Sequence, residues 1–174
     1  MNVIDVLKDK KILIVDDEPD ILETLEELLD MCLIDSAPDF DTAKKFLAKY
    51  SYDAAILDIM GVKGYDLLRI TVEKDIPTLM LTAHALSPEN LIKSIQEGAH
   101  AYIPKDKIAD IESFLRDLIE AHQREDKKHG QWFVRLRPFF DRHFGLGWRE
   151  KNKEFWSDFD KKFIMTKEDV ERII

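Results

Sequence analysis

Cysteine and long apolar runs are scarce in this chain, and each scarcity closes off a class of protein. Cys32 is the only cysteine among 174 residues, so no intrachain disulfide can form, which fits a reducing compartment. No apolar run approaches the ~18 residues that a membrane helix needs. The N-terminus, with Asp5, Lys8, Asp9, Lys10 and Lys11, lacks the apolar core of a secretory signal. No internal repeat and no low-complexity tract interrupts the chain. A cytoplasmic globular protein is the expectation, and the composition, 45% hydrophobic and 35% charged, agrees with it.

Two further shortages are local. Residues 1–123 contain no tryptophan and only 13 Lys and Arg against 25 Asp and Glu. Residues 124–174 reverse both features, with 13 basic residues against 10 acidic, ten of the 17 aromatics and all three tryptophans. The balance is −12 in the first stretch and +3 in the second, within a net charge of −9. Two compositions predict two units, residues 1–123 and residues 124–174.

What is present in the first unit is an alternation. Short apolar runs suited to buried strands occur at Lys11–Val15, Cys32–Ile34, Ala54–Leu57, Pro77–Leu81 and near His100–Ile103. Between them lie helical patterns. Pro19 opens one with Ile21, Leu22, Leu25, Leu28 and Leu29 at 3.6 spacing, and Asp39 or Asp41 can cap the second. Tyr65–Val72 is the third, Ser87-Pro88 opens a fourth that Gly98 stops, and the fifth runs from about Asp106 to Ile119. Five strands alternating with five helices predict an α/β fold with a doubly wound parallel sheet.

In such sheets ligands bind beyond the carboxyl ends of the strands. There the first run ends in Asp16-Asp17, the third in Asp58, the fourth in Thr82, and the last leads through Pro104 to Lys105. Three carboxylates at one point repel one another unless a cation lies among them. Few, hard oxygen ligands suit Mg²⁺, which keeps several waters and shares phosphate oxygens. A carboxylate with a free oxygen can then act as a nucleophile toward a phosphoryl group, with Lys105 and Thr82 binding the phosphoryl oxygens. Singly, each residue has a plainer reading. Asp16 or Asp17 can cap a helix, Thr82 can be a strand residue, Tyr102 a half-buried sheet aromatic and Lys105 a solvated loop charge.

Together, Ile14-Val15-Asp16-Asp17-Glu18-Pro19, Ile56-Leu57-Asp58-Ile59-Met60, Met80-Leu81-Thr82-Ala83 and Gly98-Ala99 through Tyr102-Ile103 to Lys105 resemble the receiver domain of bacterial two-component response regulators. The resemblance spans residues 11–122. It implies a flavodoxin-like sheet of order 2-1-3-4-5, with Asp58 as the phosphorylated residue. It further implies Mg²⁺ held by Asp17 with Asp16, Asp58 and the Met60 main-chain carbonyl. Thr82 and Tyr102 would be the switch pair and Lys105 the phosphate-binding lysine. The donor would be a sensor histidine kinase, and the protein would be a switch that catalyses only its own phosphorylation and dephosphorylation.

Two departures stand out. The loop after Asp58 reads Ile59-Met60-Gly61-Val62-Lys63-Gly64, without the family's proline and about two residues shorter. Proline precedes Lys105 instead of following it, so no cis-proline is expected after the lysine. Met60 and His84 occupy the positions two past Asp58 and Thr82 that tune hydrolysis in the family, and an apolar Met60 over the pocket would obstruct attacking water.

The second unit predicts helices. Pro138 marks a bend or a new start, Gly145-Leu146-Gly147 a turn, and Phe155, Phe159 and Phe163 share a stripe along Glu150–Phe163. Thr166-Lys167-Glu168-Asp169 reads as a capping box. His122, His129 and His143 have no metal-ligand spacing. The rings imply a module packed on its own receiver or on a dimer mate, continuous with the fifth helix, with Arg135 and Arg142 facing acidic surface. Protein contacts, including a homodimer or an unnamed downstream partner, are the expected output. DNA binding by a transcriptional regulator, and relay of the phosphoryl group to a histidine phosphotransfer protein, are the alternatives. At +3 with ten interspersed acids, the module argues against DNA.

Overall fold

The computed structural model describes residues 6–124 and 130–164. Five parallel strands form one sheet in the order β2-β1-β3-β4-β5. They are β1 (Lys11–Val15), β2 (Leu33–Ala37), β3 (Ala54–Asp58), β4 (Thr78–Thr82) and β5 (Ala101–Pro104). Helices α1 (Pro19–Leu28), α2 (Phe40–Lys49), α3 (Gly64–Glu73), α4 (Pro88–Gln96) and α5 (Ile111–Gln123) link and follow them. β3 and β4 are buried at every position, which is why both read as unbroken apolar runs rather than alternating ones.

The local signals sit where they act. Pro19 is the first residue of α1. Of the two candidate caps for α2, Asp39 is the one used: its side chain accepts from the Thr42 N–H at 2.8 Å. Ser87 caps α4 in the same way through the Asn90 N–H, at 3.1 Å. Gly98, at φ +101°, turns the chain after α4.

In the sheet domain two elements differ from the reading of the sequence. β2 runs on through Asp35 and Ser36 to Ala37, because each residue pairs in register with β1, from Lys11↔Leu33 to Val15↔Ala37. A partner strand thus overrides two poor strand formers. The chain after β5 makes a 3-10 turn over Lys105–Asp110 and becomes α-helical only at Ile111. The peptide after Lys105 is trans, as expected.

In the second unit, α6 (Gln131–Phe144) carries Pro138 in its interior instead of breaking there. Pro138 removes one bond, to the Val134 carbonyl, and Val134 is exposed, so water can replace that bond. Burial of Trp132, Phe133, Leu136 and Phe140 on both sides of the proline holds the helix together. The expected single helix over Glu150–Phe163 is three pieces: a 3-10 turn (Trp148–Asn152), α7 (Lys153–Phe159) and a π turn (Asp160–Ile164). Nor does the module continue the fifth helix, since α5 ends at Gln123 and α6 starts afresh after Gly130. The capping box at residues 166–169 lies outside the described residues.

The rings bury inward. Phe133 stacks on Trp156 at 5.0 Å, Phe140 on Phe144 at 5.5 Å, and Phe140 lies 6.2 Å from Tyr102 of β5. Arg135 reaches Asp117 of α5 at 3.0 Å, whereas Arg142 is exposed and pairs with no acid among the described residues. Sheet and module share one contiguous apolar core. Among the described residues no helix is long and apolar enough to cross a membrane.

Candidate functional site

Parallel strands in register bring their carboxyl ends to one edge, and the reactive side chains collect there. Asp16 follows β1, Asp58 ends β3 and Lys105 follows β5. Asp16 turns into the pocket because its Oδ1 accepts the Glu18 N–H at 2.9 Å. Lys105 is only 7% exposed, and its Nζ lies 2.9 Å from Asp16 Oδ2, 3.4 Å from Glu18 Oε1 and 3.6 Å from Asp58 Oδ1. Three of the predicted residues are therefore in one constellation, with Glu18 added. The strand-end pattern gives Glu18 no role of its own, and its only signal in the sequence is its place directly after the Asp16-Asp17 pair.

Burial sets the electrostatics. It raises the Asp58 carboxyl to about 6, helped by the charges of Asp16, Asp17 and Glu18 and opposed by Lys105. Asp16 is also raised, burial again outweighing Lys105. Burial alone would lower Lys105, but Asp16, Asp58 and Glu18 together raise it, so it stays charged. One ammonium thus faces three carboxylates, with Asp17 as a further charge acting on Asp58, and the pocket is short of positive charge.

Carboxylate oxygens of Asp16, Asp17 and Glu18 lie within 4.8 Å of one another. Asp16 Oδ2 is buried with the Lys105 ion pair but no aligned hydrogen bond. Hard oxygen donors and a surplus of negative charge are what a small divalent cation requires, so the residues fit Mg²⁺. Asp17 is itself exposed, at the mouth of the pocket.

Thr82 is buried, and its hydroxyl accepts the Ala85 N–H at 3.1 Å. The Ala85 carbonyl accepts from the Tyr102 hydroxyl at 3.0 Å, and that hydroxyl accepts the Ser87 N–H at 3.3 Å. Tyr102 is fully buried, which raises its pKa and keeps it a neutral donor. The Met60 side chain is 54% exposed rather than a closed cover. His84 is exposed and lies 3.9 Å from Glu18.

Fold and pocket together define the class: a doubly wound α/β domain with a carboxylate-and-lysine pocket at its strand ends. Residues 12–116 match the family model of the response regulator receiver domain, and the chain belongs to that family. It is a receiver domain of two-component systems. Among curated proteins it is 32% identical over 128 residues to the response regulator GtcR of Aneurinibacillus migulanus, covering 68% of this chain and 52% of that one. The chain thus spans about half the length of this relative. The fold resembles a CheY-like receiver domain protein of Methanospirillum hungatei JF-1 (TM-score 0.62, 25% identity, covering 68% of this chain and 99% of that one). It also resembles a response regulator of Chloroflexus aurantiacus J-10-fl (TM-score 0.58, 27% identity, covering 65% and 99%).

Proposed function

We propose that this chain is a phosphoacceptor switch that takes a phosphoryl group onto Asp58 from the phosphohistidine of a sensor kinase in the cytoplasm. The observation that carries this reading is the Lys105 ammonium, nearly buried and held between Asp16 and Asp58 at the strand ends. An Asp58 oxygen attacks phosphorus, the P–N bond to the kinase histidine breaks, and the histidine nitrogen keeps the electron pair. Lys105 meets the charge on the phosphoryl oxygens. Asp16 and Asp17 would hold Mg²⁺ beside Asp58, with Glu18 near and the Met60 carbonyl as a further ligand. When bound, the cation offsets negative charge on the phosphoryl group. Asp58, with a pKa near 6, is ionised at neutral pH yet more basic than an ordinary carboxylate, which favours attack.

The response would pass through Thr82. A phosphoryl oxygen that accepts from the Thr82 O–H would draw the side chain toward Asp58 and away from the Ala85 N–H, from which the same hydroxyl accepts. Ala85 in turn holds Tyr102, whose ring lies beside Phe140 of α6. Residues 124–174 would then be the element that reads the switch, through protein contacts with a partner or a second copy. The charge pattern of that segment and the burial of its rings support protein contacts over DNA.

The test uses the tryptophans, which all lie in residues 124–174. Trp148 lies 6.2 Å from Phe140, so its emission reports on that end of the path. Adding beryllofluoride with Mg²⁺ to the full chain should change tryptophan emission. Thr82→Ala should still accept a phosphoryl group from acetyl phosphate but lose the emission change. An unaltered emission change in Thr82→Ala would remove Thr82 from the pathway.

A second expectation ranks the metal ligands. Asp17→Asn should weaken Mg²⁺ binding by about tenfold or more, and Thr82→Ala much less, because only the first removes a carboxylate from the cation. Calorimetric titration of both variants with Mg²⁺ checks the order. Equal affinities would overturn it.

A further inference from the structure

We infer that Gly61 is a positioning residue for the Asp17 carboxylate, and that the shortened loop after Asp58 tolerates no side chain there if the pocket is to hold its cation. The inference rests on the proposed Mg²⁺ site. A Cβ at Gly61 would lie 2.3 Å from Asp17 Oδ2 and 2.7 Å from Asp17 Cγ, well inside contact distance. The carboxylate of Asp17 therefore occupies the space that any other residue at position 61 would fill.

Which side would yield follows from how the loop is anchored. Only Ile59–Lys63 connects β3 to α3. Val62 is fully buried, and the Gly64 N–H donates to the Ile59 carbonyl at 3.2 Å. A Cβ at Gly64 would meet the Asp58 carbonyl oxygen at 2.1 Å, so the far end of the loop is pressed against Asp58 itself. Lys63 is already in the left-handed region, at φ 54°, and Gly61 stands at φ +86°. A loop pinned at both ends in this way has little slack to retreat. Asp17, exposed and attached through one rotatable Cα–Cβ bond, has an open direction: outward, into solvent. A methyl group at position 61 thus pushes the carboxylate away from Asp16 and Glu18 while leaving the fold in place.

This separates two readouts that a merely structural glycine would move together. Gly61→Ala carries the strain of a positive φ, and so does Gly98→Ala, at φ +101°. A Cβ at Gly98 meets the side chain of Val72, at 3.0 Å from its nearest atom, and its three nearest atoms include none of the pocket residues. Both variants should therefore lose similar thermal stability in EDTA. Only Gly61→Ala should weaken Mg²⁺ binding, by about tenfold or more, the size typical when a ligand loses its support. Saturating Mg²⁺ should restore labelling of Gly61→Ala from acetyl phosphate.

The experiment is calorimetric titration of the full chain and of each variant with Mg²⁺, beside thermal unfolding in EDTA. Gly61→Asn supplies a second variant, since asparagine accepts positive φ more readily and brings the same Cβ. Wild-type Mg²⁺ affinity in either folded Gly61 variant would overturn the inference, as would an equal loss in Gly98→Ala. Adding Gly61→Ala to Asp17→Asn should weaken binding no further; a full additional tenfold would show that Gly61 acts elsewhere. If the unaltered chain binds no Mg²⁺, the metal reading of the pocket fails first, and this inference with it. Binding by the unaltered chain with no change in the Gly61 variants defeats only the inference.

Discussion

Asp58→Asn is expected to abolish labelling by acetyl phosphate and, in metal-free buffer at pH 8, to make the protein harder to unfold. The first outcome follows from placement. Asp58 is 5% exposed, and its Oδ1 lies 3.6 Å from Lys105, where a phosphoryl group would meet the ammonium. An amide oxygen there is too weak a nucleophile to form the acyl phosphate, so labelling should fall below about a thousandth of wild type, an effect of ~4 kcal/mol or more in the barrier. Full labelling of the variant would refute the assignment.

The second outcome follows from the raised pKa. Burial lifts Asp58 from the ordinary 3.8 to about 6, so the folded chain binds its proton more tightly than the unfolded chain does. Stability from this group is therefore present at low pH and lost as pH rises from about 4 through about 6. At pH 8 the ionised carboxylate opposes folding by roughly 2–3 kcal/mol, a figure that already contains its attraction to Lys105. Asparagine removes that opposition. For a chain of this size the midpoint should rise by about 4–8 °C at pH 8. The gain should shrink toward pH 4, where wild-type Asp58 is itself neutral. Saturating Mg²⁺ should stabilise wild type more than the variant, because the cation prefers the carboxylate. A constant difference across this pH range would show that Asp58 is not the group responsible.

Phe133→Ala should dismantle the aromatic module while the acid pocket goes on working. Phe133 is 1% exposed and central to the cluster. Its ring lies 5.0 Å from Trp156, 5.3 Å from Phe159, 5.8 Å from Trp132 and 5.9 Å from Phe140. Deleting a buried phenyl ring costs ~3–5 kcal/mol. A segment of about 50 residues has little stability of its own to lose. Tryptophan emission, which reports only on residues 124–174, should shift to the red in native buffer. Labelling of Asp58 from acetyl phosphate should persist, since Phe133 touches no pocket residue. Denaturant curves followed by tryptophan emission and by far-ultraviolet circular dichroism should separate in the variant. Coincident curves with loss of labelling would mean that sheet and module fold as one unit.

Much of the pocket was legible in the sequence because strand ends are a local property. Four-residue apolar runs that stop at Asp16, Asp58 and Thr82 announce both the strand and its last residue. Caps are equally local: Asp39 and Ser87 each bond an N–H three residues on. The sequence pattern ends β2 early because Asp35 and Ser36 look like loop residues until β1 is placed beside them. Pro138 suggests a bend in the sequence alone because helix propensity counts the lost bond and not the rings buried on either side of it.

By itself, then, the sequence determined the alternation of strands and helices, the charged and hydroxyl residues at the strand ends and the concentration of aromatic residues in 124–174. Neighbours two to four positions apart control those features, and their spacing is printed in the chain. Tertiary structure alone decided the distances between strand ends. Only the sheet order brings Lys105 within 2.9 Å of Asp16, across 89 positions of chain. Only the packing of the short loop sets Gly61 against Asp17, and only the burial of both elements sets Phe140 beside Tyr102. Contacts of this kind depend on how elements dock. Docking is settled by burying the whole apolar core at once, a sum over the molecule that no short window of sequence contains.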